Sequence, residues 1–307
     1  MTQLFRRVAI IGVGMMGGSL GRALLSRGLA GEVVGFDAAP VALRAAKVLG
    51  AISRSAASLA DVVSGAELVV LAAPVGAVIK LLPEVARLAN KGSIITDVCS
   101  TKLQILKAAE TLPEGISFVG GHPMAGSEQD GCQALDEMLF EQAVYILTPS
   151  INSSVADLET MSALVHRLGA KPLVMGAEEH DQLVGAVSHL PHLAATALVR
   201  TLEKKTWQRE KFLALAAGGF RDTTRIAMGN PEMWKDICLS NRENVSRLLG
   251  DYMIELTNLR LLTLFGDEET LTAFFRHSRE FRRQFPDRGK ELSGSILKGG
   301  ATLEQND

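Results

Sequence analysis

From Val8 to Met175, short β-branched apolar runs alternate with Ala- and Leu-rich amphipathic segments. This is the pattern of βαβ units wound around a parallel sheet. It predicts strands at Val8–Ile11, Val33–Phe36, Leu68–Ala72, Ser93–Asp97, Ser117–Gly120, Val144–Thr148 and Pro172–Val174. Most are apolar throughout rather than alternating, as strands covered by helices on both faces should be. Past Gly176 the strand-like runs stop. Apolar residues then recur at three- and four-residue spacing through Leu183, Val187, Leu190, Leu193 and Leu198, and again through Ile237, Val245, Leu248 and Leu249. This half is expected to be helical. Pro191 falls inside its first helix, where a missing N–H and a ring clash predict a kink, whereas Pro231 follows Asn230 as a helix start with an N-cap.

The segment Tyr252–Phe265 carries more apolar side chains than one helix face buries, which predicts an intertwined homodimer. A length of 307 residues and a hydrophobic content of 47% suit two folded domains. The boundaries expected are 1–176 for the sheet domain, 177–286 for a helical dimerisation and substrate domain, and 287–307 for a Gly- and charge-rich mobile tail. A formal charge of -2, with Lys and Arg spread along the chain, provides no footprint for nucleic acid or an anionic membrane. The three cysteines, Cys99, Cys132 and Cys238, lack metal or disulfide-scaffold spacing, so no metal site is expected. The N-terminal apolar stretch is too short for a signal segment, and Gly, Asp or Lys interrupts every later run before it reaches membrane-spanning length. A cytoplasmic protein acting on small molecules is the expectation.

In VAIIGVGMMGGSLGRAL, Gly12, Gly14 and Gly17 form G-x-G-x-x-G between a predicted strand and a predicted helix that begins near Met15 and Met16. The first glycine turns the chain, the second lets backbone approach a pyrophosphate, and the third lets helix and strand pack closely. The next strand ends in Asp37, at the spacing where a carboxylate accepts from an adenosine ribose. That charge would repel a 2′-phosphate, and no Arg or Lys follows in Ala38, Ala39 and Pro40, so NAD is expected rather than NADP. Ala73 and Pro74, by fold analogy, run beside the cofactor. The sheet domain is thus expected to be an α/β Rossmann-type doubly wound, mostly parallel sheet.

Ser100 and Lys102 follow one predicted strand, and the loop around His122 follows another, so both face the crevice outside the strand ends. An imidazole there suits acceptance of a hydroxyl proton near neutrality. The helical half adds Ser188-His189-Leu190-Pro191-His192 and Gly218 to Ala227, followed by Trp234. Asp222 and Arg225 are one turn apart. On a surface they would form a weak solvated pair; in a cleft Arg225 would clamp a carboxylate.

Five motifs in one order, GVGMMGGSLG, DVCSTK, GGHPMAGSEQDG, VSHLPH and GGFRDTTRIA with PEMW, resemble the prephenate/arogenate (cyclohexadienyl) dehydrogenase family over essentially the whole chain. The resemblance implies oxidative decarboxylation of a cyclohexadienyl acid with NAD in tyrosine biosynthesis, in a homodimer. It implies His122 as acceptor of the ring hydroxyl, Arg225 as partner of the ring carboxylate, and Ser100 as a neighbour orienting His122 and substrate. His192 would lie near the side-chain carboxylate, with Glu128, Asp222 and Trp234 as supporting shell. The product resembles the substrate, so tyrosine would inhibit competitively. Where many relatives carry Gly before the Ser, this chain carries Cys99, which leaves the loop's geometry open. The alternatives are a β-hydroxyacid or 6-phosphogluconate-type dehydrogenase, which uses a helical Lys, and a non-catalytic NAD-binding redox sensor.

Overall fold

The computed structural model describes residues 2–126, 135–204 and 209–285. Strands β1 (Phe5–Ile11), β2 (Ala30–Phe36), β3 (Arg54–Ser55), β4 (Leu68–Leu71), β5 (Ile94–Asp97), β6 (Ser117–Pro123), β7 (Val144–Pro149) and β8 (Lys171–Val174) form one sheet in the order β3-β2-β1-β4-β5-β6-β7-β8. All neighbours are parallel except β6 and β7. The apolar runs became strands because helices cover both faces, each over its own buried cluster. These helices are α1 (Met15–Ser26), α2 (Pro40–Val48), α3 (Leu59–Val63), α4 (Val75–Leu88), α5 (Leu103–Ala109) and α6 (Val155–Arg167). The strand order reverses between β1 and β4, opening the crevice where such sheets bind ligands.

Among the described residues no strand follows Val174. The helices there are α7 (Ala177–Val184), α8 (Leu190–Glu203), α9 (Arg209–Leu215), α10 (Gly218–Thr224), α11 (Pro231–Ser240), α12 (Arg242–Phe265) and α13 (Glu268–Arg282). By packing the chain divides into two compact units, residues 1–245 and those from Ser246 on. No described residue from Ser246 to Phe285 is buried, and Met253, Ile254, Leu256, Leu264 and Phe265 are exposed. The expected tail at 287–307 and Cys132 lie outside the described residues.

Two expectations need correction. His122 does not sit in a tight loop after a strand that stops at Gly120: β6 continues through it to Pro123, with His122 opposite Ile146 of β7. The glycines before it serve close packing, since a Cβ on Gly121 would lie 2.5 Å from the Asp97 carbonyl oxygen and one on Gly120 2.2 Å from Thr148 Oγ1. Pro191 does not end in a simple kink. A π turn at Gly185–His189 joins α7 to α8, the Leu190 N–H bonding the Gly185 carbonyl, and the widened turn places Pro191 in the first turn of α8. Of the apolar stripe, Leu183, Val187 and Leu198 are exposed and Leu190 and Leu193 are half-buried, while His180, Asp181, His189 and His192 are buried. Periodicity located the helix, whose buried face also carries polar side chains. The run 177–203 is long and apolar enough to cross a membrane by length and composition, yet it buries these four polar side chains. Pro231 behaves as expected, with the Asn230 side chain accepting from the Glu232 and Met233 N–H groups.

Candidate active site

The turn from β1 into α1 is shaped for a dinucleotide. Gly12 has φ +95°, which L side chains rarely adopt, and a Cβ there would lie 2.3 Å from the Ala72 carbonyl oxygen. A Cβ on Gly17 would lie 2.0 Å from the Gly12 carbonyl oxygen, so helix and loop touch through backbone. Gly14 is different: nothing lies within 4 Å of a Cβ built on it. It caps α1 without a side-chain hydrogen bond, leaving the N–H groups of the first turn, at Met15 and Met16, available to phosphate oxygens. Asp37 follows β2, and its carboxylate accepts from the Val13 N–H at 3.0 Å and the Ala39 N–H at 2.8 Å. Each oxygen keeps a further lone pair for a ribose hydroxyl. Ala73 and Pro74 lie at the exit of β4, Pro74 as the N-cap of α4.

Beyond β5 a buried polar cluster organises the strand ends. The Asp97 carboxylate receives the Lys102 ammonium, the Cys99 N–H at 2.9 Å and the Gly121 N–H at 3.1 Å, and both charged side chains are fully buried. One carboxylate therefore ties the Ser100 loop to the strand that carries His122. Cys99 is accommodated without strain: it has no positive φ, and its thiol donates to the Ala73 carbonyl at 3.4 Å. No glycine is needed at this position of the turn. Ser100 is half-buried beside it, and Thr101 bonds Ser240 of α11 at 2.8 Å between hydroxyls.

His122 is buried, and its Nδ1 lies 2.8 Å from His180 Nε2. His180 Nδ1 lies 2.7 Å from Asp181 Oδ1, whose carboxylate also accepts the Lys102 N–H at 2.8 Å and the Leu103 N–H at 3.0 Å, at the start of α5. Burial, with further contributions from His180, Lys102 and His189, holds the His122 imidazole well below its ordinary pKa. His122 is therefore uncharged at neutral pH. The relay beneath it, His180 and Asp181, was not legible beforehand, and Lys102 was noted without a role.

A second group continues from the same aspartate. Asn241 Nδ2 donates to the Asp181 carbonyl at 2.7 Å and lies 3.2 Å from His189 Nδ1. The His189 ring meets Trp234 edge-on at 6.0 Å, and His192 stacks on Trp234 at 3.4 Å with 10° between planes. Burial lowers the His192 pKa, with the Ile226 backbone in the 3-10 turn Arg225–Met228 acting in the opposite direction. An unbroken series of contacts thus runs from His122 through Asp181 and Trp234 to the turn that begins with Arg225. Arg225 and Asp222 are both exposed in this chain, and Glu128 lies outside the described residues.

Comparison with known proteins is consistent along the chain. Residues 20–174 match the nucleotide-binding domain of prephenate dehydrogenase, and residues 176–277 match its dimerization domain. The prephenate dehydrogenase of Bacillus subtilis is 35% identical over 94% of this chain and 79% of its own length. The cyclohexadienyl dehydrogenase of Zymomonas mobilis is 31% identical over 91% of this chain and 96% of its own. The crystal structure of prephenate dehydrogenase from A. aeolicus, in complex with hydroxyphenyl propionate and NAD+, superposes with a TM-score of 0.85 at 32% identity, covering 92% of this chain and 98% of that one. The nucleotide-binding match begins after the glycine loop, which stands on its own geometry. Glycine loop, buried imidazoles and two-domain match agree: this chain belongs to the prephenate dehydrogenase family.

Proposed function

We propose that this protein oxidises and decarboxylates prephenate to 4-hydroxyphenylpyruvate with NAD+, in tyrosine biosynthesis, and that arogenate is its alternative substrate. The observation that carries the reading is an uncharged, buried His122 at the strand ends, held through Nδ1 by His180 and Asp181. NAD+ bound at the glycine loop supplies the hydride acceptor. With His180 neutral, its Nδ1–H donates to Asp181 and its Nε2 accepts from His122 Nδ1–H. His122 Nε2 then carries a lone pair for the ring hydroxyl. It draws that proton as hydride leaves the same ring carbon, and returns it to the phenolic oxygen once the ring is aromatic. The electron pair of the bond to the departing carbon dioxide enters the ring, so no net proton is released.

Arg225 pairs with the ring carboxylate and holds the ring in register, and Ser100 orients His122 and the hydroxyl. His192, stacked on Trp234, lies toward the side-chain carboxylate, with Asp222 in the surrounding polar shell. The exposed apolar positions of α12, the absence of buried residues in its unit among those described, and the matched dimerization domain support a homodimer. Tyrosine, sharing with the product the 4-hydroxyphenyl ring and a three-carbon chain ending in a carboxylate, would compete for this pocket, and the enzyme would act in the cytoplasm. The direct test is incubation of the purified protein with prephenate and NAD+: NADH and carbon dioxide should appear in equal amounts. No NADH from prephenate or arogenate would overturn the reading.

Three further outcomes are expected. Arg225→Ala should raise the substrate KM roughly ten- to a hundredfold, the worth of a charge-assisted hydrogen bond, with the KM for NAD+ unchanged. Asp37→Ser should narrow the ratio of kcat/KM between NAD+ and NADP+, measured with both cofactors at saturating substrate. The pH profile of kcat should fall on the acid side, because a protonated imidazole cannot accept the hydroxyl proton. Since burial depresses the His122 pKa well below 6.5, that fall should come well below the ordinary histidine range, and kcat should be level through neutrality. A midpoint at or above 6.5 would contradict the neutral-base role.

A further inference from the structure

His189 is as deeply buried as any residue near this site, and the mechanism above leaves it without a task. It closes the π turn Gly185–His189 and has no exposed surface. Its protonation pattern follows from its neighbours. Asn241 Nδ2 lies 2.7 Å from the Asp181 carbonyl oxygen, which can only accept, so the Asn241 amide must present its NH2 on that side. Asn241 Oδ1 correspondingly accepts from Asn244 Nδ2 at 2.9 Å. The second N–H of the Asn241 NH2 faces His189 Nδ1 at 3.2 Å, and that nitrogen must therefore carry a lone pair. Burial pushes the His189 pKa down to about 4, so the ring is neutral and its single proton sits on Nε2. This Nε2–H is buried with no partner among the described residues.

We propose that Asn241 is a positioning residue that locks His189 as a hydrogen-bond donor, and that His189 Nε2–H meets a carboxylate or keto oxygen of the bound acid. The inference rests on the proposed reaction and adds a second contact to it. Three observations place this donor beside the substrate rather than in inert core. The His189 ring abuts the edge of Trp234, which stacks on His192. Asp181 serves both imidazoles, His122 through its carboxylate and His180, and His189 through its carbonyl and Asn241. A π turn, a device frequent at functional sites, delivers the ring inward. The site then holds two neutral imidazoles in opposite tautomers, His122 with an accepting Nε2 and His189 with a donating one. A buried N–H without a partner is costly, and a substrate oxygen relieves that cost on binding. An ammonium group offers no lone pair and gains nothing there.

Nitrogen NMR of the whole protein with labelled histidine tests the tautomer without any substitution. His189 should show a protonated Nε2 and an unprotonated Nδ1. In kinetics, His189→Leu and Asn241→Leu should raise the KM for prephenate roughly tenfold or more, by loss of one hydrogen bond to a charged or strongly polar oxygen, with the KM for NAD+ unchanged. His189→Gln, whose amide reaches the ε position, should recover most of the affinity. A proton found on Nδ1, or wild-type prephenate KM in both leucine variants, would overturn the proposal. Wild-type protein that turns over no prephenate would instead defeat the proposed function, so the two failures are separable.

Discussion

His122→Asn is expected to lower kcat for prephenate by about 10²- to 10⁴-fold, the usual worth of a positioned general base, while the KM for NAD+ stays near its wild-type value. The asparagine amide occupies the place of Nδ1 and retains a partner for His180, so the relay beneath is preserved. What disappears is the ε nitrogen, the atom that accepts the hydroxyl proton. His122 is part of β6, pinned against β7 and tied through Gly121 to Asp97, so its backbone should not move when the ring is shortened. The loss should therefore appear in kcat and kcat/KM together, as for an interaction made only in the transition state. Steady-state kinetics at neutral pH check this, and wild-type turnover in the variant would remove His122 from the chemistry.

Lys102→Met should destabilise the protein by roughly 3–5 kcal/mol, because it leaves the Asp97 carboxylate buried without its counter-ion. The methionine is close in volume, so cavity formation contributes little. Lys102 and Asp97 are both fully buried, so water cannot take over the lost partner. The double variant Asp97→Asn with Lys102→Met removes the charge as well and should recover part of the loss. Urea unfolding of the three proteins measures both effects, with the midpoint falling most in the single variant. A midpoint within a few tenths of a molar of wild type would mean that the pair is solvated in solution.

The architecture was legible because its determinants are local. Apolar runs at Val8–Ile11 and Leu68–Ala72 have the length and branching of buried strands, and the observed β1 and β4 contain or nearly match them. The glycine loop is readable for the same reason: Gly12, Gly14 and Gly17 each answer a backbone requirement that the structure displays. β3, only two residues long, has no pattern to find. Helical spacing located the helix 177–203 without showing that its buried face carries histidines and an aspartate. Leu183, Val187 and Leu198 stay exposed there, and a π turn interrupts the regular spacing. The relay residues escaped for a related reason. His180, Asp181 and Asn241 are polar types that helical spacing assigns to solvent, and their burial depends on tertiary contacts that bring α7 and α11 to the start of α5 and the ends of the strands. The one available signal was the adjacency of His180 and Asp181 in a segment that also carries His189 and His192.

The most direct test of the central claim is a crystal structure of the protein with NADH and prephenate, a pair that cannot react. The account predicts His122 Nε2 within about 2.6–3.2 Å of the ring hydroxyl, with the Arg225 guanidinium on the ring carboxylate of the same molecule. Prephenate bound with its hydroxyl away from His122, or His122 and Arg225 opening into separate cavities, would contradict it.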